Sequence, residues 1–275
     1  MRLNCNARSL DLSAPRVMGV LNLTPDSFSD GGRYDSPDAA LARAREMVAE
    51  GAAIIDVGGE STRPGAAPVP VAEELARVLP VIEVLTAELE VPVSVDTSKP
   101  EVMAAAVAAG AGMINDVRAL RRPGALEAAA AAGVPVCLMH MQGEPGDMQR
   151  DPRYADVVEE VRVFLQGRIE ACVGAGIPRD RILVDPGFGF GKTLEHNLEL
   201  LRHLDRLRTL GQPVLVGMSR KRMLGEILDR PVDGRLYGGL AAHVLAAWQG
   251  AVLIRTHDVG PTVDALAVCA AVRGR

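Results

Sequence analysis

Residues 91–116 read VPVSVDTSKPEVMAAAVAAGAGMIND. Two short apolar runs, VPVSVD and AGMIND, flank one stretch of helix formers, KPEVMAAAVAAG. Pro100 suits a first helical turn after Lys99, where its missing N–H has no partner to lose, and Gly110 suits the stop. The runs are apolar almost throughout, as parallel strands covered on both faces are. The stretch therefore reads as one strand–helix–strand repeat. Each strand also ends on an acid or an amide: Asp96 in the first, Asn115 and Asp116 in the second.

The same rhythm extends in both directions. RVMGVLN and AAIIDVGG precede it, and VPVCLMH, RILVDPG, QPVLVG and AVLIRTH follow. Helical stretches lie between these runs, several closing on glycine at Gly51, Gly133 and Gly176. Eight strand–helix repeats in 275 residues predict an α/β fold, a closed (β/α)8 TIM barrel, rather than an open doubly wound sheet. Residues 1–16 read as an N-terminal extension capping the barrel bottom. Residues 17–275 read as the barrel itself, in a single domain.

Composition narrows the class. Hydrophobic residues make up 48% of the chain, enough for a sizeable core, and 30 basic against 35 acidic residues leave a net charge of −5. Interspersed signs at that balance argue against nucleic acid or a membrane surface as partner. The four cysteines, Cys5, Cys137, Cys172 and Cys269, are scattered and form neither a disulfide framework nor a zinc motif. The N-terminus lacks the apolar run of a signal peptide, and no run approaches the ~18 residues of a membrane span, so a cytoplasmic protein is expected.

In a barrel of this kind, function sits at the carboxyl ends of the strands. The eight runs end in or lead into Asn22, Asp56 and Glu60, Asp96, Asn115 and Asp116, Met139 and His140, Asp185, Ser219–Arg220–Lys221, and Arg255 with His257. The strand starts carry no matching set. An unsatisfied polar group there would cost about 1–3 kcal/mol, so the accumulation at one end predicts a ligand mouth. Asp96, Asn115 and Asp185 suit a flat nitrogen heterocycle presenting an amino group beside a ring N–H. Lys221, Arg255 and His257, with Arg63 from the second loop, are expected to supply positive groups for a phosphate or pyrophosphate.

One stretch looks wrong until it is read this way: MGVLNLTPDSFSDGG, residues 18–32, puts Asn22 in an apolar strand and Phe28 in a polar loop. At a barrel mouth, Asn22 becomes a candidate ligand group. Three of the four phenylalanines (Phe28, Phe188 and Phe190) fall in such loops, which favours at least one stacking on a planar ligand. DPGFGFGKT ends like a phosphate-binding loop, but Pro186 stands where that pattern needs glycine, so the motif is discounted. His196, His203 and His243 lack the companions of a metal cluster.

MGVLNLTPDSFSDGG, DVGGESTRPG, SVDTSK, INDVRAL, LMHMQG, DPGFGFGK, GMSRK and RTHDV, taken in order, resemble the successive motifs of the dihydropteroate synthase family. The resemblance runs from about Met18 to Asp258. It implies joining of 4-aminobenzoate to 6-hydroxymethyl-7,8-dihydropterin diphosphate, with release of pyrophosphate, in folate biosynthesis. It implies a pterin set of Asp96, Asn115, Asp185 and Lys221, with Met139 and Phe190 on the faces of the ring. It further implies Asn22, Thr62, Arg255 and His257 around the diphosphate, Mg²⁺ on Asn22, and Arg63, Pro64, Ser219 and Lys221 around 4-aminobenzoate. Asp30 would close over the reacting carbon, with Asn22 and Lys221 sharing the catalytic work, and a homodimer is expected. Two other readings share parts of this pattern. A methyltetrahydrofolate-dependent corrinoid methyltransferase should lack the Ser-Thr-Arg-Pro loop and the Ser-Arg-Lys segment, and a pterin-binding paralogue without catalysis would need a broken loop set. The acidic residues Glu144 and Asp147 of the fifth loop are assigned no role.

Overall fold

The computed structural model describes residues 1–23, 37–63 and 65–274. A hairpin of β1 (Arg2–Cys5) and β2 (Arg8–Asp11) leads into a parallel barrel. Its strands are β3 (Arg16–Asn22), β4 (Ile54–Gly58), β5 (Val93–Asp96), β6 (Met113–Asp116), β7 (Val136–Met139), β8 (Ile182–Asp185), β9 (Val214–Val216) and β10 (Ala251–Thr256). The strands pair in chain order, and β10 closes the ring onto β3. Every strand expected from the sequence is present, and the (β/α)8 barrel is the fold.

Helices α1 (Pro37–Ala49), α2 (Val71–Glu88), α3 (Pro100–Ala108), α4 (Ala125–Ala132), α5 (Val157–Gly174), α6 (Leu194–Arg202), α7 (Arg222–Leu228), α8 (Leu236–Trp248) and α9 (Val259–Val272) surround the strands. Local signals set several ends. Pro100 opens α3 after Lys99. Asp156 caps α5 by accepting from Val158 N at 3.1 Å and Glu159 N at 3.0 Å. Two details depart from the sequence reading. The helix expected through LEHNLELLRHLDRL stops at Arg202, and a 3₁₀ segment, Leu204–Leu210, follows. The short α7, which was not expected, spans only seven residues, too few for a periodic apolar face to register.

Alternation along the strands sorts the side chains. Val17, Ile55, Val57, Val95, Ile114, Leu138, Val184 and Ile254 face the helices in the large outer core. Met18, Ile54, Met113, Cys137, Leu183, Leu215 and Leu253 fill the barrel interior at its lower end, joined there by Leu3, Cys5, Leu10 and Leu12 of the hairpin. The hairpin thus closes the barrel bottom. It sits close: a Cβ on Gly112, at the foot of β6, would lie 2.4 Å from the Cys5 carbonyl oxygen. All four cysteines are buried and free. Among the described residues no helix is long and apolar enough to cross a membrane.

Candidate active site at the carboxyl end of the barrel

Two residues above the apolar floor, the inward positions turn polar. Ile54 is followed by Asp56, Met113 by Asn115, Leu183 by Asp185 and Leu253 by Arg255. Three of these join one network with Asp96. Arg255 Nε donates to Asp56 Oδ2 at 2.6 Å and Arg255 Nη2 to Asp96 Oδ2 at 2.9 Å, while Asn115 Nδ2 donates to Asp56 Oδ2 at 3.1 Å. Burial pushes the Asp96 carboxyl up to about 7 against the pull of Arg255. Burial opposes the Arg255 charge, but Asp56 and Asp96 outweigh it and hold the guanidinium above its ordinary value. Asp56 received no role from the sequence; its place in the same inward column as Asn115 and Asp185 was the available signal.

Across the mouth, Asp185 Oδ1 accepts from Gly187 N at 2.7 Å. Burial raises the Asp185 carboxyl, with Lys221 pulling the other way. Burial also brings Lys221 down to about 8, against the attraction of Asp185. The Lys221 ammonium donates to the Phe188 carbonyl and lies 4.6 Å from the Phe190 ring centroid. Phe190 packs on an apolar pad of Val117, Met139, Met141 and Met148. Polar groups that can read the edge of a ring therefore stand beside a thioether and an aromatic face. Phe188 is fully buried in the outer core, so of the loop phenylalanines in the described residues only Phe190 stands at the mouth.

The loop after β8 is locked from within. Lys192 is buried and donates to Gly187 O at 2.9 Å and Phe190 O at 3.0 Å, with His140 Nδ1 at 2.9 Å. This lysine staples its own loop, so it is no phosphate-binding lysine. Gly187 is required there, since its φ is +68° and a Cβ would lie 1.9 Å from the His140 carbonyl oxygen.

Beside β10, Ser219 Oγ lies 3.1 Å from His257 Nδ1 and accepts from His257 N at 3.2 Å. Asp258 pairs with Arg220 at 2.6 Å. Burial, reinforced by Arg255 and Arg220, lowers His257 to about 3. Burial thus disfavours the charged ring in the ligand-free mouth, where His257 can offer a hydrogen bond. Thr62 lines a small cleft with Glu60, Asp96 and Ser98, and Arg63 is exposed on the same loop. Asp30, Pro64 and Phe28 lie outside the described residues.

One of the polar strand ends, Asp116, is structural. Asp116 accepts from Ser98 Oγ, from Arg118 N at 2.9 Å and from Leu120 N at 2.7 Å, which uses its carboxylate to fold the third and fourth loops. Glu144 pairs with Arg118 at 2.8 Å, and Asp147 Oδ1 accepts from Glu144 N at 2.9 Å, so the acidic fifth loop folds on itself. Among the described residues no group of three or more His, Cys, Asp or Glu side chains is arranged to hold a metal ion. Asn22 offers one amide oxygen: a Cβ on Gly58 would sit 3.6 Å from Asn22 Oδ1 and 3.7 Å from Asp96 Oδ2.

A closed barrel whose carboxyl end gathers carboxylate, amide and cationic groups beside an aromatic face has the form of a small-molecule enzyme. Residues 18–257 match the pterin binding enzyme family. Dihydropteroate synthase of Escherichia coli is 55% identical over 268 residues, covering 98% of this chain and 95% of that protein. Dihydropteroate synthase of Xanthomonas albilineans, solved with 4-aminobenzoic acid, superimposes with a TM-score of 0.94 at 58% identity, covering 100% and 98% of the two chains. The Yersinia pestis enzyme, solved in a sulfonamide drug complex, gives a TM-score of 0.97 at 53% identity over 100% of both. The chain belongs to the pterin-binding enzyme family and, within it, to the dihydropteroate synthases, transferases of folate biosynthesis.

Proposed function

We propose that the mouth of this barrel condenses 6-hydroxymethyl-7,8-dihydropterin diphosphate with 4-aminobenzoate through the residues described above. The observation that carries the residue roles is the placement of Asp185 and Lys221 within electrostatic reach of the Asp56–Arg255–Asp96–Asn115 network, beside the Met139 and Phe190 surface. Asp185 and Asn115 read the amino and ring N–H edge of the pterin, Asp96 completes the set, and Met139 and Phe190 cover its faces. Arg255 already bridges two carboxylates, so its net contribution to an anion is small until one of them is protonated or taken up by substrate. A proton on Asp96, held up to about 7, frees part of that charge.

Asn22, Thr62 and His257 line the diphosphate, His257 through a ring hydrogen bond. A single amide oxygen does not hold a resident divalent ion by itself, and it fits Mg²⁺ arriving with the diphosphate, because Mg²⁺ commonly takes one or two protein oxygens plus substrate phosphates. When bound, the ion neutralises charge growing on the leaving pyrophosphate. Lys221 stands beside both the pterin edge and Ser219, so it can steady the ring as its methylene becomes electron-deficient and orient the incoming arylamine. Arg63 and Ser219, with Pro64, form the 4-aminobenzoate side. Asp30 is assigned to loop closure over the reacting carbon, which excludes water as a rival nucleophile.

Exposed Tyr237, Leu245 and Trp248 of α8 and Val268 and Val272 of α9 support a homodimer built on this face. A cytoplasmic location fits the substrates of this reaction. Pyrophosphate release that needs both substrates and Mg²⁺, and that sulfonamides inhibit in competition with 4-aminobenzoate, is the expected result. Purified protein that binds pterin but releases no pyrophosphate would instead be a non-catalytic pterin binder.

A further inference from the structure

The second barrel loop is held at both flanks by the same ammonium. Glu60, just beyond β4, and Glu74, in the first turn of α2, both accept hydrogen bonds from Lys99 Nζ. The Lys99 and Glu74 side chains are 5% and 1% exposed, and Glu60 is 16% exposed. Thr97 Oγ1 donates to the other Glu74 oxygen at 2.6 Å. The root of the loop is seated as firmly: Arg77 donates to Gly59 O at 2.8 Å, and a Cβ on Gly59 would meet Val78 Cγ1 at 2.7 Å.

One buried lysine under two carboxylates is a poor device for stability alone, because desolvating three charges offsets most of their attraction. What the arrangement does is geometric. It fastens the segment between Glu60 and Glu74 at both ends to the third barrel loop, which restricts the conformations open to Thr62 and Arg63. Thr62 lines the same cleft as Glu60, Glu74 and Asp96.

We propose that Lys99, Glu60 and Glu74 form a positioning clip that holds Thr62 and Arg63 over the mouth, so that the clip governs capture of 4-aminobenzoate and of the diphosphate rather than of the pterin ring. This rests on the reading of Thr62 and Arg63 as groups that meet the diphosphate and 4-aminobenzoate. The hydrogen bonds of the clip run among Lys99, Glu60, Glu74 and Thr97, while Asp96 takes its own from Arg255.

The discriminating variant is Glu60→Gln, because it removes the loop-side charge and leaves Lys99 and Glu74 as a balanced buried pair. In the full-length variant, KM for 4-aminobenzoate should rise about tenfold, as misplacement of a binding loop does. The Kd for a 6-substituted pterin lacking the diphosphate should stay within about twofold of the parent, since that ligand does not reach the loop. Amide hydrogen exchange at residues 59–63 and 65–70 should become faster. Unchanged KM and unchanged exchange would overturn the proposal, and so would pterin affinity falling as much as that for 4-aminobenzoate. A parent protein releasing no pyrophosphate would defeat the functional reading, whereas the exchange comparison would still decide the clip.

Discussion

The two ends of this barrel are made from the same eight strands and do opposite things. At the lower end, Met18, Ile54, Met113, Cys137, Leu183, Leu215 and Leu253 meet a hairpin that seals them from water. Two residues higher in the same inward columns stand Asp56, Asn115 and Arg255, joined by hydrogen bonds and an ion pair, and Asp185, which accepts from Gly187 N. The floor obtains its free energy from apolar burial, at about 25 cal/mol per Å² removed from water. The mouth keeps charges that burial opposes, as the raised carboxyls of Asp96 and Asp185 and the lowered ammonium of Lys221 record. A step of two residues along a strand therefore separates the part that folds the protein from the part that binds.

That contrast can be broken residue by residue. Leu183→Ala, in the floor, should lose about 2–5 kcal/mol of stability by urea unfolding, with pterin affinity of the folded protein unchanged. Asp185→Ala, two residues higher, should reverse the pattern: pterin binding measured calorimetrically weakens by roughly 1–3 kcal/mol, and stability stays near the parent value. If Leu183→Ala weakened pterin binding as strongly as Asp185→Ala, the division between floor and mouth would fail.

The third test uses pH. Asp96 has its carboxyl raised from 3.8 to about 7 in the folded protein. Between those values the folded state holds a proton that the unfolded state has released, so the contribution of Asp96 is full below pH 3.8 and is lost as pH rises through about 7. Urea titrations across that window should show a flatter stability profile for Asp96→Asn than for the parent. The smallest effect is expected at the rim, where Glu144→Ala removes a pair whose carboxylate is 58% exposed. About 0–1 kcal/mol of stability should be lost there, less as salt is added.

The sequence was most informative where one local rule governs many positions. Short, nearly continuous apolar runs between helical stretches predicted all eight barrel strands, and their polar ends fall together at one end of the barrel. It was less informative about which polar ends work. Asp116 and Asp185 look alike on paper, each an aspartate closing an apolar strand. Only the tertiary contacts separate them, because Asp116 uses its oxygens on Ser98, Arg118 and Leu120, while Asp185 faces Lys221. Lys192 and Lys221 divide in the same way, one stapling its loop and the other standing over Phe190.

By itself, then, the amino-acid sequence determined the barrel and the chemical kinds of group at the carboxyl ends of its strands, because apolar runs and strand–helix spacing are properties of neighbouring residues. The tertiary structure decided the rest. Asp56 joins the hydrogen-bond network of the mouth, burial lowers the His257 imidazole, and Lys99 ties Glu60 to Glu74, because burial and pairing depend on residues 25 to 199 positions away.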